Sequence, residues 1–278
     1  MNGAKQIRSV GVIGAGRMGL PIIGHLAKKG FEVWVHDIDE GRRQAVQDKG
    51  ARWAADLAQL ASHSEAVLIC VGFDKELREL VSQRGLLRYL RQGAIVALLS
   101  TVKPGTVQEL AGAARAAGVH VLDATVCRGG RAADTGTLLS FVGGDQQAAE
   151  RIRPVLAAYS TDIVYTGGAG SAQVAKAANN LVLWACVVAD HEAFALAQSY
   201  GLDVETLRQA LMTSSADNDV LKHWGTNEMV WADDDLAIVQ EMAREQGMAL
   251  PQADTVREVC RMLRPRRYQL DIYGREPS

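Results

Sequence analysis

The sequence predicts an α/β fold, a doubly wound and largely parallel sheet, followed by an all-α domain. Three observations predict it. Short runs of β-branched and aliphatic residues recur between Ser9 and Tyr165, several apolar throughout, as strands covered on both faces must be. Helical stretches separate the earlier runs, and strand–helix alternation specifies a parallel sheet with helices on both sides. After Thr166-Gly167-Gly168-Ala169-Gly170 the strand pattern stops, and a stretch free of Gly and Pro runs from Gln173 to Tyr200.

In order, the strand candidates are Val10–Ile13, Val33–His36, Ala66–Cys70, Ala94–Leu98, His120–Asp123, Leu139–Val142 and Ile163–Tyr165. The helix candidates among them are Met18–Lys29, Glu40–Lys49, Asp56–Ser62, Lys75–Leu90 and Pro104–Ala117. Pro104 suits a first helical turn, where the amide hydrogen it lacks has no partner. The long helix from Gln173 would measure roughly 40 Å, and being apolar on most sides it calls for burial by neighbours. Helices at Val204–Met212, Asp235–Glu245 and Gln252–Leu263 complete the chain. A boundary near Gly167 gives an α/β domain over 1–166 and a helical one over 167–278.

The 278 residues, 48% hydrophobic and 22% charged with a formal net charge of −2, describe an ordinary globular chain. Nothing in that balance favours nucleic acid or an anionic membrane, and the arginines between 261 and 267 read as a solvated surface. Cys70, Cys127, Cys186 and Cys260 stand apart without CxxC pairing, so neither a metal site nor a disulfide framework is expected. Free thiols suit a reducing, cytoplasmic setting. Met1–Ser9 is short and polar, unlike a signal peptide. The longest fully apolar run, Leu181–Ala189, ends at Asp190, well short of the ~20 residues that span a bilayer.

The strongest local motif is Val10-Gly11-Val12-Ile13-Gly14-Ala15-Gly16-Arg17-Met18-Gly19. A GxGxxG that follows a strand and opens a helix is the fingerprint of a Rossmann dinucleotide site. Gly14 permits the tight turn, Gly16 lets a pyrophosphate approach the backbone, and Gly19 lets helix pack on strand, with Ala15, Arg17 and Met18 completing the turn. Asp37, at the end of the second strand, is placed to accept both ribose hydroxyls and to repel a 2′-phosphate. NAD is therefore expected. NADP stays open, because Arg17, Arg42 and Arg43 are near enough in sequence to meet a phosphate.

Lys176 lies one turn into the long helix among alanines and valine. Apolar surroundings and the positive ring of an oxidised nicotinamide both lower a lysine's pKa, which suits it to exchange a proton with a carbonyl or hydroxyl oxygen. Asn180, four residues on, shares its helical face.

Four segments, in order, give the chain its resemblance to the β-hydroxyacid dehydrogenase family, which includes 3-hydroxyisobutyrate dehydrogenase and is related to 6-phosphogluconate dehydrogenase. Gly11–Gly19 with Pro21 resembles the family's GxIGxGxMGxP opening, and Ser100-Thr101-Val102-Lys103-Pro104 its STxxP loop. Asp123-Ala124-Thr125-Val126-Cys127 through Gly136-Thr137-Leu138 is similar to DAPVSGG…GTL, and Gly170–Asn180 to GxxxxxKxxNN. The resemblance implies a Rossmann domain joined by a long interdomain helix to a helical domain that also builds a homodimer or higher oligomer. It implies hydride transfer between a nicotinamide and a small, anionic β-hydroxy acid or its aldehyde or keto form. Lys176 would be the acid/base residue and Asn180 its substrate-binding companion. Thr101 and Val71 would line the cofactor cleft, and Thr125, Val126, Cys127, Arg128 and Gly129 would meet the substrate.

Three positions depart from the family. Cys127 replaces a serine, Arg128 replaces a glycine, and Asp234-Asp235-Leu236 stands where Lys-Asp-Leu is common. Arg128 either grips an anionic substrate with its fork or points outward. Two other functions remain open on sequence. An imine reductase is similar in fold but generally carries aspartate or tyrosine in place of Lys176. A non-catalytic NAD-binding protein would keep the pocket without need of the Lys176/Asn180 pair.

Overall fold

In the computed structural model the described residues are 6–72, 74–83, 85–226, 228–266, 268–271 and 273. Residues 1–5 of the polar N-terminal segment, 84 of the stretch read as one helix and 267 of the basic stretch lie outside them. The chain forms two compact units, Met1–Lys176 and Ala177–Ser278.

The first unit is the α/β domain that the alternation predicts. Its strands are β1 (Ser9–Ile13), β2 (Glu32–His36), β3 (Arg52–Trp53), β4 (Ala66–Ile69), β5 (Ile95–Leu98), β6 (His120–Asp123), β7 (Val126–Cys127), β8 (Leu138–Gly143) and β9 (Ser160–Gly167). They form one sheet in the order β3-β2-β1-β4-β5-β6-β8-β7, with β9 on β8. The first six are parallel; β8 runs antiparallel to β6 and β7 and parallel to β9. The period-two alternation of strands divides the core between the two faces. Val10, Val12, Leu68, Ile95 and Ala97 fall in one buried cluster, and Ile13, Val67, Ile69, Val96 and Leu98 in the other.

Among the described residues, eight α-helices belong wholly to this unit: α1 (Gly19–Lys28), α2 (Arg43–Asp48), α3 (Leu57–Ser62), α4 (Asp74–Arg78), α5 (Leu86–Tyr89), α6 (Pro104–Arg115), α7 (Gly129–Thr135) and α8 (Gln146–Leu156). The single helix expected over 75–90 is divided instead. α4 passes into a π-helical turn at Glu79–Gln83, and Gly85, left-handed at φ 69°, precedes α5. Pattern reading also passes over β3 and β7, each two residues long, and over α7 and α8. In α8 a proline at 154 hides the helix, although Asp145 caps it by accepting the Ala148 N–H at 2.8 Å.

The long helix α9 (Ser171–Ser199) begins in the first unit and continues into the second, where α10 (Val204–Leu211), α11 (Asp219–Lys222), α12 (Ala232–Glu245) and α13 (Pro251–Leu263) follow. At 29 residues it is about 43 Å long. Among the described residues it is the one helix long and apolar enough to cross a membrane, by length and composition. Several of its apolar side chains are used in the chain itself: Trp184, Val187 and Val188 pack with Val220, Leu236, Val256 and Leu263 in the core of the second unit. The Trp184 indole N–H donates to Asp235 at 3.0 Å. Asp190 and His191 are buried. Asp190 accepts from the Asn218 amide at 3.2 Å and burial pushes its carboxyl up to about 6, while the His191 ring lies against Trp224 and Tyr268.

Candidate active site

β1 ends at Ile13, and Gly14 turns the chain at φ 98° while donating its N–H to His36 O at 3.0 Å. A Cβ on Gly14 would overlap the Cys70 carbonyl, and one on Gly19 would overlap the Gly14 carbonyl. Gly16 is different: a Cβ there would stand in open space above the turn, the room a phosphate needs to approach the backbone. Met18 precedes α1 without a side-chain cap, so the amide hydrogens of the first turn have no side chain of their own to meet. Such a helix start presents partial positive charge to an anion. This turn fits a dinucleotide.

Asp37 follows β2 and is held by the turn itself. Its two carboxylate oxygens accept from the Ala15 N–H at 2.7 Å and the Asp39 N–H at 2.9 Å. The three arginines that could meet a phosphate all have partners. Arg17 pairs with Asp134, Arg42 donates to Ala15 O at 3.2 Å, and Arg43 lies over the Trp53 ring.

The ends of β4 and β5 are joined through Ser100, whose hydroxyl accepts from Val71 N–H at 3.1 Å and donates to Val71 O at 2.7 Å. Thr101, half-buried, follows. From here the start of α9 is fixed by side chains far away in sequence. Gln173, 1% exposed, accepts the Val102 N–H at 3.0 Å and donates to Ser100 O at 2.9 Å. Asp123 accepts the backbone N–H groups of Gly170 at 3.0 Å and Gln173 at 3.1 Å. Burial raises the Asp123 carboxyl above its ordinary range, against the pull of those N–H groups. Thr125 donates its hydroxyl to Ala172 O at 3.1 Å.

Lys176 therefore lies three residues beyond a helix start tied at Ser100, Val102, Asp123 and Thr125, and is itself half-buried. One turn on, Asn180 is 1% exposed. Its side-chain oxygen accepts from Asn179 at 3.1 Å, while its amide nitrogen is buried with no hydrogen-bond partner. Asp123 and Gln173 lie inside the sequence motifs, but neither has a role there that the sequence reveals. The available signal was a lone glutamine between Ala172 and Val174, at a helix start otherwise lined with small residues.

In the predicted substrate loop, Val126 and Cys127 form β7 and are buried, and Gly129 opens α7 at φ 71°. Arg128 adopts φ 82° and donates to Thr137 O at 3.0 Å, Thr161 Oγ1 at 2.9 Å and Asp162 at 2.7 Å. Of the two orientations open to Arg128 on sequence, the structure has its Nη1 on β9 and on the residue before β8. The Thr125 hydroxyl is likewise committed to backbone.

Two family models cover almost the whole chain. One, described as the NAD binding domain of 6-phosphogluconate dehydrogenase, matches residues 9–167. The chain belongs to the β-hydroxyacid dehydrogenase family. The second model, described as the NAD-binding of NADP-dependent 3-hydroxyisobutyrate dehydrogenase, matches residues 170–271. This dehydrogenase is 31% identical over 251 residues to an NAD-dependent L-serine dehydrogenase of Pseudomonas aeruginosa, covering 87% of this chain and 84% of the relative. It is 32% identical over 210 residues to a 3-hydroxyisobutyrate dehydrogenase of the same organism, covering 75% of this chain and 70% of the relative. In fold it resembles the solved 3-hydroxyisobutyrate dehydrogenase of Mycobacterium tuberculosis, with a TM-score of 0.86 at 22% identity over 94% of this chain and 95% of that one. It is an NAD(P)-dependent dehydrogenase of the 3-hydroxyisobutyrate type.

Proposed function

We propose that this dehydrogenase interconverts a small β-hydroxy acid and its aldehyde or keto form, with Lys176 moving the hydroxyl proton and Asn180 binding the substrate. One observation carries this reading: a buried amide donor without a partner, Asn180 Nδ2, sits one helical turn from Lys176. An unpaired buried donor costs about 1–3 kcal/mol, a cost removed when a ligand oxygen accepts from it. Such a donor marks a place for a polar ligand. When bound, the nicotinamide supplies or takes up the hydride. Oxidation of the alcohol then needs a group to receive the hydroxyl proton, and reduction needs the same group to return it. An amine held on a fixed helix start is suited to both.

The backbone of Gly14–Gly19 would hold the pyrophosphate and Asp37 the adenosine ribose, with Val71 and Thr101 beside the nicotinamide half. The fixed Asp37 carboxylate favours NAD. Arg17 and Arg42 support the same preference, since they already donate to Asp134 and to Ala15 O. Faster turnover with NADPH than with NADH in the wild type would overturn it. The large apolar residues that α9 leaves exposed, Val174, Val182 and Leu196, suit a homodimer face; a monomer by light scattering would count against that.

The test is an absorbance screen of L-serine, 3-hydroxyisobutyrate, related hydroxy acids and cyclic imines, each with NAD(H) and NADP(H). Hydroxy-acid turnover with NAD is expected, and turnover of imines alone would reject the reading. K176A should lower kcat about 100-fold or more while NADH still binds. Near-normal turnover in K176A would dispose of the lysine's role.

A further inference from the structure

Inside the first unit, the helix that begins at the dinucleotide turn is clamped to the helix that begins at the substrate loop. Arg17 leaves the turn and lies along α7, where its two terminal nitrogens donate to the two carboxylate oxygens of Asp134 at 2.8 and 2.9 Å. Gly130 and Asp134 are four residues apart and share a face of α7. A Cβ on Gly130 would overlap the Arg17 guanidinium, so the bare backbone at 130 makes room for the pairing. Two turns further along α1, His25 Nε2 lies 3.0 Å from Ala133 O and 3.2 Å from Asp134 O. Carbonyls in the last turn of a helix lack partners within it. Both neighbours are acceptors, so Nε2 carries the proton.

The helix so clamped has seven residues. A helix that short does not hold its place by its own hydrogen bonds. On its other side stands Arg128, the left-handed residue that closes the loop and is tied to Thr137, Thr161 and Asp162. The position of the loop between these ties therefore depends on where α7 is held. A two-point guanidinium–carboxylate pair fixes orientation as well as distance. It also occupies the fork that Arg17 would otherwise offer a phosphate.

We propose that Asp134 is a positioning residue: paired with Arg17, it locks α7, and with it the substrate loop over 125–129, to the dinucleotide turn. The cofactor phosphates are then left to the backbone N–H groups of the turn, and substrate binding depends on a pair that touches no substrate. This rests on the functional reading above, in which 125–129 meet the substrate.

The test compares D134N, D134E and R17K with wild type, using NADH and whichever of L-serine or 3-hydroxyisobutyrate is turned over faster. In D134N the KM for the hydroxy acid rises about tenfold, with kcat changed less than about twofold and the Kd for NADH unchanged within about twofold. R17K keeps a charge but loses the fork, and shows the same rise in KM. D134E keeps the charge and acceptors and returns KM to within about threefold of wild type. An unchanged substrate KM in D134N overturns the proposal, as does an effect confined to NADH affinity. Amide hydrogen exchange over 129–135 is read in parallel and needs no substrate. It quickens in D134N if the clamp holds α7, and equal exchange in D134N and wild type rejects the clamp. If the wild type turns over no hydroxy acid, the functional reading fails, and the exchange result still judges the clamp.

Discussion

The dinucleotide turn and the substrate loop are both strand-to-helix connections of the first unit, yet they reach their shapes by opposite means. In the turn, shape comes from what is missing. Gly14 and Gly19 lack the carbon that would strike a carbonyl oxygen, and Gly16 leaves its backbone open. In the loop, shape comes from what is added. Arg128 occupies a left-handed conformation that favours glycine, and three hydrogen bonds from its guanidinium hold it there. The comparison teaches that a family position can change residue type while the backbone keeps its course, provided a new side chain brings its own anchors. On sequence Arg128 either meets the substrate or points outward; in the structure its guanidinium donates to Thr137, Thr161 and Asp162.

Substitutions at four positions break or sharpen this contrast, taken from the largest expected effect to the smallest. G14A forces a Cβ onto the Cys70 carbonyl at a positive φ and should cost about 3 kcal/mol or more, read as a fall in the denaturation midpoint or as insoluble protein. Q173A leaves the Val102 N–H and the Ser100 carbonyl buried without their partner, and should cost about 3 kcal/mol by urea unfolding, with a fall in kcat as the helix start loosens. R128A keeps the left-handed strain and removes the anchors, for about 1 kcal/mol, whereas R128G relieves the strain and should lie closer to wild type in stability and in substrate KM. If R128G instead loses substrate affinity more than R128A does, Arg128 is not merely an anchor. G16A meets open space and should stay within about 0.5 kcal/mol of wild type, while NADH affinity falls because the methyl takes the room left for a phosphate. A G16A protein that binds NADH normally would show that the phosphates lie elsewhere.

What is legible in the sequence follows from how local its cause is. The glycine turn is written in ten consecutive residues, because each glycine answers a steric demand from its own strand or helix. The strands β1, β4 and β5 are legible because burial on both faces demands unbroken apolar runs. The stretch 75–90 reads as one helix because its apolar spacing is helical, whereas a π-helical turn at Glu79–Gln83 and the left-handed Gly85 divide it. β7 and α7 are too short to carry a period, and they form where β8 and α1 give them partners.

From its sequence alone this chain declares a sheet wound on both sides, a dinucleotide turn, an acid beside it and a lysine one turn into a long helix. Those features depend on neighbours within a few residues or on a repeating pattern, and both survive when the chain is written as a line. Tertiary structure alone determined that Gln173 and Asp123 anchor that helix across 73 and 50 residues, that Arg128 faces Asp162, and that Arg17 faces Asp134. Hydrogen-bond partners are chosen by distance in space. A glutamine or an arginine carries the same donors wherever it stands, and only the folded backbone determines which acceptor comes within 3 Å.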